Sequence, residues 1–238
     1  MSPKRTAPRN QMPKREPLTA PRLPDEPVAV SDWDEADALG WAELEVRGDF
    51  IGIDALRLDV TRSRFIDVRL TAGKFDGARF TDVRFEGCDL SGASLMESAF
   101  TRVELVRCRL SGAAMGGSRW RDVRLVDCKL DGAHLRSVRG ERVELERCVA
   151  TTVDVSGAEI TACRMIECDL GGADFSNAKL PGLRLHGSAL DELRGVTSLR
   201  GAVIDTAQVT TLALRLFDAV GITVDDAPED QPEPTSPD

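Results

Sequence analysis

Residues 83–102 read Val83-Arg84-Phe85-Glu86-Gly87, Cys88-Asp89-Leu90-Ser91-Gly92, Ala93-Ser94-Leu95-Met96-Glu97, Ser98-Ala99-Phe100-Thr101-Arg102. Cut into fives, each block opens on a small or aliphatic residue and carries Leu or Phe in third place. The openers then recur in the same order: Val103, Cys108, Ala113, Ser118, and again Val123, Cys128, Ala133. A period of five matches neither the 3.6 of an α-helix nor the 2 of a flat strand. It calls for a chain that turns a corner every five residues. Recurrence of the openers every twenty adds that four sides close one coil, with like residues stacked above like.

Outward from this stretch the pattern holds a long way. From Phe65 to Leu190, nearly every residue whose number divides by five is apolar, including Leu90, Leu110, Leu130 and Leu170. Only 42% of the chain is hydrophobic, so a run this regular is a structural repeat. Gly140 interrupts it, with Ala150 and Val155 nearby, and a kink or bulge is expected there. The other positions of each five are mostly charged, Ser, Thr or Gly, as solvent-facing positions should be. Coils spaced like paired strands, about 4.8 Å, make about seven turns a rod on the order of 35 Å long. The interior is narrow, which suits a chain with 5% aromatic residues and no Tyr.

Blocks such as Cys88-Asp89-Leu90-Ser91-Gly92 and Ala173-Asp174-Phe175-Ser176-Asn177 resemble the pentapeptide-repeat family over roughly residues 48–193. The resemblance implies an all-β fold, a right-handed quadrilateral parallel β-helix with four pentapeptides per coil and a short C-terminal capping helix. Around it the chain divides by composition. Residues 1–28 form a Pro-rich basic arm and residues 225–238 a tail with six acids and four prolines, both expected to be disordered. Residues 29–47 are expected to cap the first coil with Trp33, Leu39, Trp41 and Leu44. Residues 194–224 should close the other end, with a helix over about 206–220. Asp205 is placed as its N-cap, Gln208 as the capping-box partner and Gly221 as the stop. Leu212 and Leu216 lie on the face at helical spacing, while Leu214 and Phe217 widen the apolar arc beyond it.

Catalytic chemistry is not legible. The two histidines, His134 and His186, fall at outward positions on different sides, and no nucleophile elbow, P-loop or dinucleotide fingerprint is present. Cys88, Cys108, Cys128, Cys148 and Cys168 share one column at a spacing of twenty, with Cys163 on an adjacent side. Zinc ligands come in close, converging pairs, so these read as small reduced core residues. No catalytic residue, cofactor or metal is expected. No stretch is apolar enough to span a membrane and no secretory signal precedes the arm, so a cytoplasmic protein without membrane attachment is expected.

The outward residues carry the remaining information. Along one side Arg84, Glu104, Arg124, Glu144 and Arg164 alternate in sign; on others Arg107, Asp127, Arg147 and Glu167, and Arg102, Asp122 and Arg142, do the same. Such ladders should pair across coils. Residues 46–192 hold 22 basic and 23 acidic side chains, so the rod is nearly neutral, with Asp154, Asp169 and Asp174 as a candidate acidic corner. The resemblance extends to topoisomerase-protecting, Qnr-type members of the family. Those are described as binding DNA gyrase or topoisomerase IV in the manner of duplex DNA and as pairing through a C-terminal apolar helix. It therefore implies protein binding, with gyrase or topoisomerase IV as partner, and a homodimer through Leu212, Leu214, Leu216 and Phe217. A rigid scaffold for another protein is the alternative. Direct nucleic-acid binding is not expected, because only the arm is basic and it lacks interleaved aromatics.

Overall fold

The protein is described by a computed structural model covering residues 17–38 and 40–224. Among the described residues eight strands form one all-parallel sheet in chain order: β1 (Val28–Val30), β2 (Leu44–Val46), β3 (Asp59–Ile66), β4 (Arg79–Glu86), β5 (Ala99–Val106), β6 (Arg119–Val126), β7 (Arg139–Glu146) and β8 (Glu159–Ile166). From β3 to β8, strand residues other than those at the corners pair with the one twenty ahead, as in Phe80↔Phe100↔Trp120↔Gly140↔Ile160. Two further columns of parallel bridges, Asp89↔Arg109↔Lys129 and Ser94↔Ala114↔His134, hold the same offset. Each long strand covers two sides of a coil and the bridge columns cover the other two, so the cross-section is quadrilateral.

The corners have one cause. From Gly52 to Glu192 every fifth residue has a positive φ, whether Gly or not; Asp82 (58°), Arg102 (52°), Asp122 (55°) and Arg142 (53°) are among them. The left-handed conformation costs a non-Gly residue roughly 1–2 kcal/mol. Many corners are tied by a backbone bond to the next coil, as Gly92 N–H to Ser111 O (3.0 Å) and Gly112 N–H to Asp131 O (2.9 Å). The pairing of long strands skips these residues: Thr61 meets Thr81 and Ser63 meets Val83, but Arg62 and Asp82 face no partner in the ladder.

Both inward columns fill the shaft. Leu90, Leu110, Leu130 and Leu170 are buried, as are the openers Cys88, Cys108, Cys128, Cys148 and Cys168. Rings stack from coil to coil, Phe65 on Phe85 at 4.7 Å and Phe80 on Phe100 at 5.2 Å. Polar openers donate to main-chain carbonyls: Ser98 Oγ to Phe75 O (3.1 Å), Ser188 Oγ to Met165 O (3.0 Å) and Cys88 Sγ to Phe65 O (3.3 Å). A buried hydroxyl or thiol is tolerable on those terms.

Gly140 does not kink the rod. It stays in β7, in register with Trp120 and Ile160, and the coil is regular on both sides. The backbone ladder carries the geometry without a side chain. A small apolar cavity of about 20 Å³, bordered by Trp120, Val143 and Ile160 among others, marks the missing bulk.

At the N-terminal end α1 (Trp33–Ala38) sets Trp33 over the first coil, 4.5 Å from Trp41 and 5.6 Å from Phe50 between ring centres. Trp41 and Leu44 are buried; Leu39 lies outside the described residues. At the other end an irregular coil contains a 3-10 turn at Val196–Ser198 and a bridge from Val203 to Arg184. A second 3-10 turn (Thr206–Gln208) leads into α2 (Val209–Ala219). Asp205 caps this entry by the predicted capping box. Gln208 does more than the sequence suggests. Its amide nitrogen donates to Leu185 O and to Ser188 O (2.7 Å), sealing carbonyls of the last regular coil.

Candidate interaction surfaces

The positive-φ corner column Asp82–Arg102–Asp122–Arg142 runs along the long sheet. Each arginine bonds the aspartate one coil before it with two nitrogens. Arg102 reaches Asp82 at 2.6 and 2.7 Å, and Arg142 reaches Asp122 at 2.6 and 3.1 Å. Both carboxylates are nearly buried, with side chains 8% and 4% exposed. These bidentate bonds hold both carboxyls below the usual aspartate value, against the opposing effect of burial.

Each of those aspartates takes one more bond from an unexpected source. Arg22 N–H donates to Asp82 Oδ1 (2.9 Å) and Thr19 N–H to Asp122 Oδ1 (3.0 Å). Arg64 then holds Pro24 O at 3.2 Å, Pro24 is buried, and Leu23 borders a groove formed with Arg64, Phe65, Ile66, Arg84 and Glu86. The arm was expected to be disordered as far as residue 28. From residue 17 onward it lies along the sheet instead, and Val28–Val30 joins it as β1. Composition missed this because the anchoring groups are main-chain N–H groups, which every non-proline residue has. Residues 1–16 and the tail 225–238 lie outside the described residues.

The charge ladders pair, but not always along the column. Arg84 meets Glu104 (3.1 Å), Arg164 meets Glu144 (2.8 Å) and Arg147 meets Asp127 (2.8 Å) as expected. Arg124 instead bonds Glu146 (2.7 Å) and Arg107 bonds Glu86 (2.6 Å), diagonals within reach of a long side chain. Pairs this exposed fix register more than they stabilise.

The expected acidic corner is not one face. Asp154 and Asp174 stack in one bridge column, but Asp169 belongs to the neighbouring side, in the column with Val149 and Ala189. Asp154 pairs with Arg136 (2.8 Å) and accepts from Ser156 N–H (2.9 Å). Asp174 accepts from Ser176 N–H (2.8 Å) with Arg194 at 3.7 Å, and Asp169 accepts from Gly171 N–H (3.1 Å). These carboxylates brace local turns.

The helix α2 is little buried. Leu212 packs into the core, but Leu214 is 54% exposed, with Leu216, Phe217, Val220, Ile222 and Val224 exposed too. The C-terminal end of the rod therefore carries concentrated apolar surface, while on the sides exposed apolar residues such as Ile51, Leu56, Met96 and Val149 are scattered among ion pairs.

The cysteine column is sealed from solvent. Cys128 Sγ bonds Leu105 O (3.4 Å) and Cys148 Sγ bonds Leu125 O (3.6 Å), a role that requires the protonated thiol. Burial pushes Cys163 up to about 12. Among the described residues no three His, Cys, Asp or Glu side chains gather as metal ligands, and no helix is long and apolar enough to cross a membrane.

Residues 58–135 match the family described as pentapeptide repeat region, and residues 158–192 match pentapeptide repeats (8 copies). Among solved structures the fold is similar to that of QnrB1, a plasmid-mediated fluoroquinolone resistance protein. A trypsin-treated form is 24% identical, with a TM-score of 0.58, covering 77% of this chain and 91% of that one. The full-length form is 22% identical, with a TM-score of 0.56, covering 73% and 90%. Among curated proteins none matches the sequence. With its period, its coil of four fives and these matches together, the chain belongs to the pentapeptide-repeat proteins.

Proposed function

We propose that this protein is a non-enzymatic, protein-binding rod of the cytoplasm that pairs with a second copy through α2. Its proposed target is a type II topoisomerase, DNA gyrase or topoisomerase IV, whose response to quinolones it would modulate. The observation that carries the binding role is the placement of apolar surface. Leu214, Phe217, Val220 and Ile222 are exposed together at one end of a body whose long face is charge-paired and whose other exposed apolar residues, such as Ile51, Leu56 and Met96, are dispersed. Clustered exposed apolar side chains mark interaction sites. The choice of target rests on the family resemblance and on the fold shared with a fluoroquinolone resistance protein.

One observation favours a second reading, a rigid scaffold for a different protein. A rod that copied duplex DNA would show carboxylates at phosphate-like density, about one charge per 1.7 Å of axis. Here the acids of the long face are matched by arginines, and Asp154, Asp169 and Asp174 do not share a face. A supercoiling and quinolone-cleavage assay with purified protein separates the two. Inhibition or protection at micromolar protein or below supports the topoisomerase reading. No effect on gyrase or topoisomerase IV at tenfold that level, about 10 μM, rejects it and leaves the scaffold.

A further inference from the structure

We propose that the Asp82–Arg102–Asp122–Arg142 face is a docking groove for an extended, proline-rich peptide, and that residues 17–24 fill it in cis. The two aspartates are built alike. Each holds the next coil's arginine by two bonds and still offers Oδ1 to one peptide N–H, from Arg22 at Asp82 and from Thr19 at Asp122. The receptor therefore repeats every two coils, about 9.6 Å at ordinary strand spacing. The ligand repeats every three residues. A polyproline-type chain rises about 3.1 Å per residue with three residues per turn, so donors three apart lie on one face about 9.3 Å apart. The segment is suited to that form, with prolines at 17, 21, 24 and 27 around the donors Thr19 and Arg22. Two more contacts set direction: Arg64 holds the carbonyl of Pro24, and Leu23 enters the groove beside Phe65 and Ile66.

The receptor is also limited to this register. The same corner column carries Arg62 before Asp82 and Ala162 after Arg142, so only two rungs accept a donor. Recognition is of main-chain N–H groups, with Leu23 in the groove and the buried Pro24 next to it as apolar anchors. The class of ligand is thus a short extended segment with free N–H groups at positions i and i+3 and a leucine at i+4.

The test uses the full chain with the strap disarmed by Thr19→Pro, Arg22→Pro and Leu23→Ser. These changes remove both donors and the leucine side chain, and all three lie outside the solenoid. A fluorescent peptide of residues 17–27 is titrated by anisotropy, beside a peptide carrying the same three changes. The disarmed protein should bind the native peptide with a Kd below about 1 mM. Wild type, whose groove is filled, should bind at least about tenfold more weakly, and the altered peptide should bind neither. No binding by a disarmed protein that melts like wild type overturns the proposal, as does equal binding of both peptides. A second measurement reads the wild-type chain directly. Thr19 and Arg22 amides should exchange about 100-fold more slowly than Ala20, and equal rates would count against the occupied groove.

Discussion

Arg142 grips Asp122 from the neighbouring coil through Nε at 2.6 Å and a second guanidinium nitrogen at 3.1 Å, with only 16% and 4% of the two side chains exposed. Asp82 and Arg102 repeat the arrangement two coils away. Because both carboxyls sit below their unfolded value, their contribution is complete above about pH 4 and is lost as pH falls through the lower folded values. Melting temperature should therefore fall as pH drops below about 4, and the fall should be shallower in Asp122→Asn. An identical acid slope in the variant would remove Asp122 from the account.

The corners make a prediction about backbone alone. Gly112 has φ 66°, and a Cβ there would meet nothing within 4 Å. Gly112→Ala should still destabilise by about 1 kcal/mol, from the left-handed conformation with no clash. Denaturant melts would show it. A neutral or stabilising result would mean that the corner conformation is not strained for side chains.

At Gly140 pattern and packing give opposite advice. The repeat asks for Leu, yet a Cβ would lie 3.0 Å from Trp120 O and 3.3 Å from Val143 Cγ2. The neighbouring cavity is only about 20 Å³. Gly140→Leu should cost roughly 1–3 kcal/mol through overpacking. A rise in melting temperature would show that the neighbours relax and that the repeat rule overrides local packing.

Gln208 is buried and donates to two carbonyls of the last coil while accepting from Asp205 N–H (3.0 Å). Gln208→Glu keeps the size but replaces the donor with an oxygen facing those carbonyls. It should destabilise by about 2–3 kcal/mol at neutral pH and loosen α2 before the rest of the rod. Hydrogen exchange across 205–219 would locate the effect, and unchanged exchange there would show that the amide bonds are dispensable.

The proposed pairing through α2 is tested at Phe217, which is exposed in the single chain. Phe217→Asp should convert a dimer to a monomer in light scattering without shifting the solenoid's circular dichroism. A wild-type chain that is monomeric at high concentration would end the dimer proposal outright.

Some of this was written plainly in the sequence. The spacing of Leu90, Leu110 and Leu130 and the order Val83, Cys88, Ala93, Ser98 contain the whole coil, because each five must bury two side chains and adjacent coils must stack like on like. The capping box at Asp205 and Gln208 was equally legible, being a local pairing three residues apart.

The rest depended on which atoms meet across long sequence separations. Composition marks residues 17–28 as a loose arm, yet Thr19 and Arg22 are held by aspartates 103 and 60 residues away through N–H groups that no side-chain pattern encodes. Likewise the alternation of Arg124 and Glu144 said that charges would pair, while only the folded rod sent Arg124 to Glu146. Periodicity determines where the backbone goes, since burial of the repeated side chains is a sum over the whole chain. Individual contacts on its outer faces are decided by reach and geometry among several partners of similar energy, and those exist only once the coils are stacked.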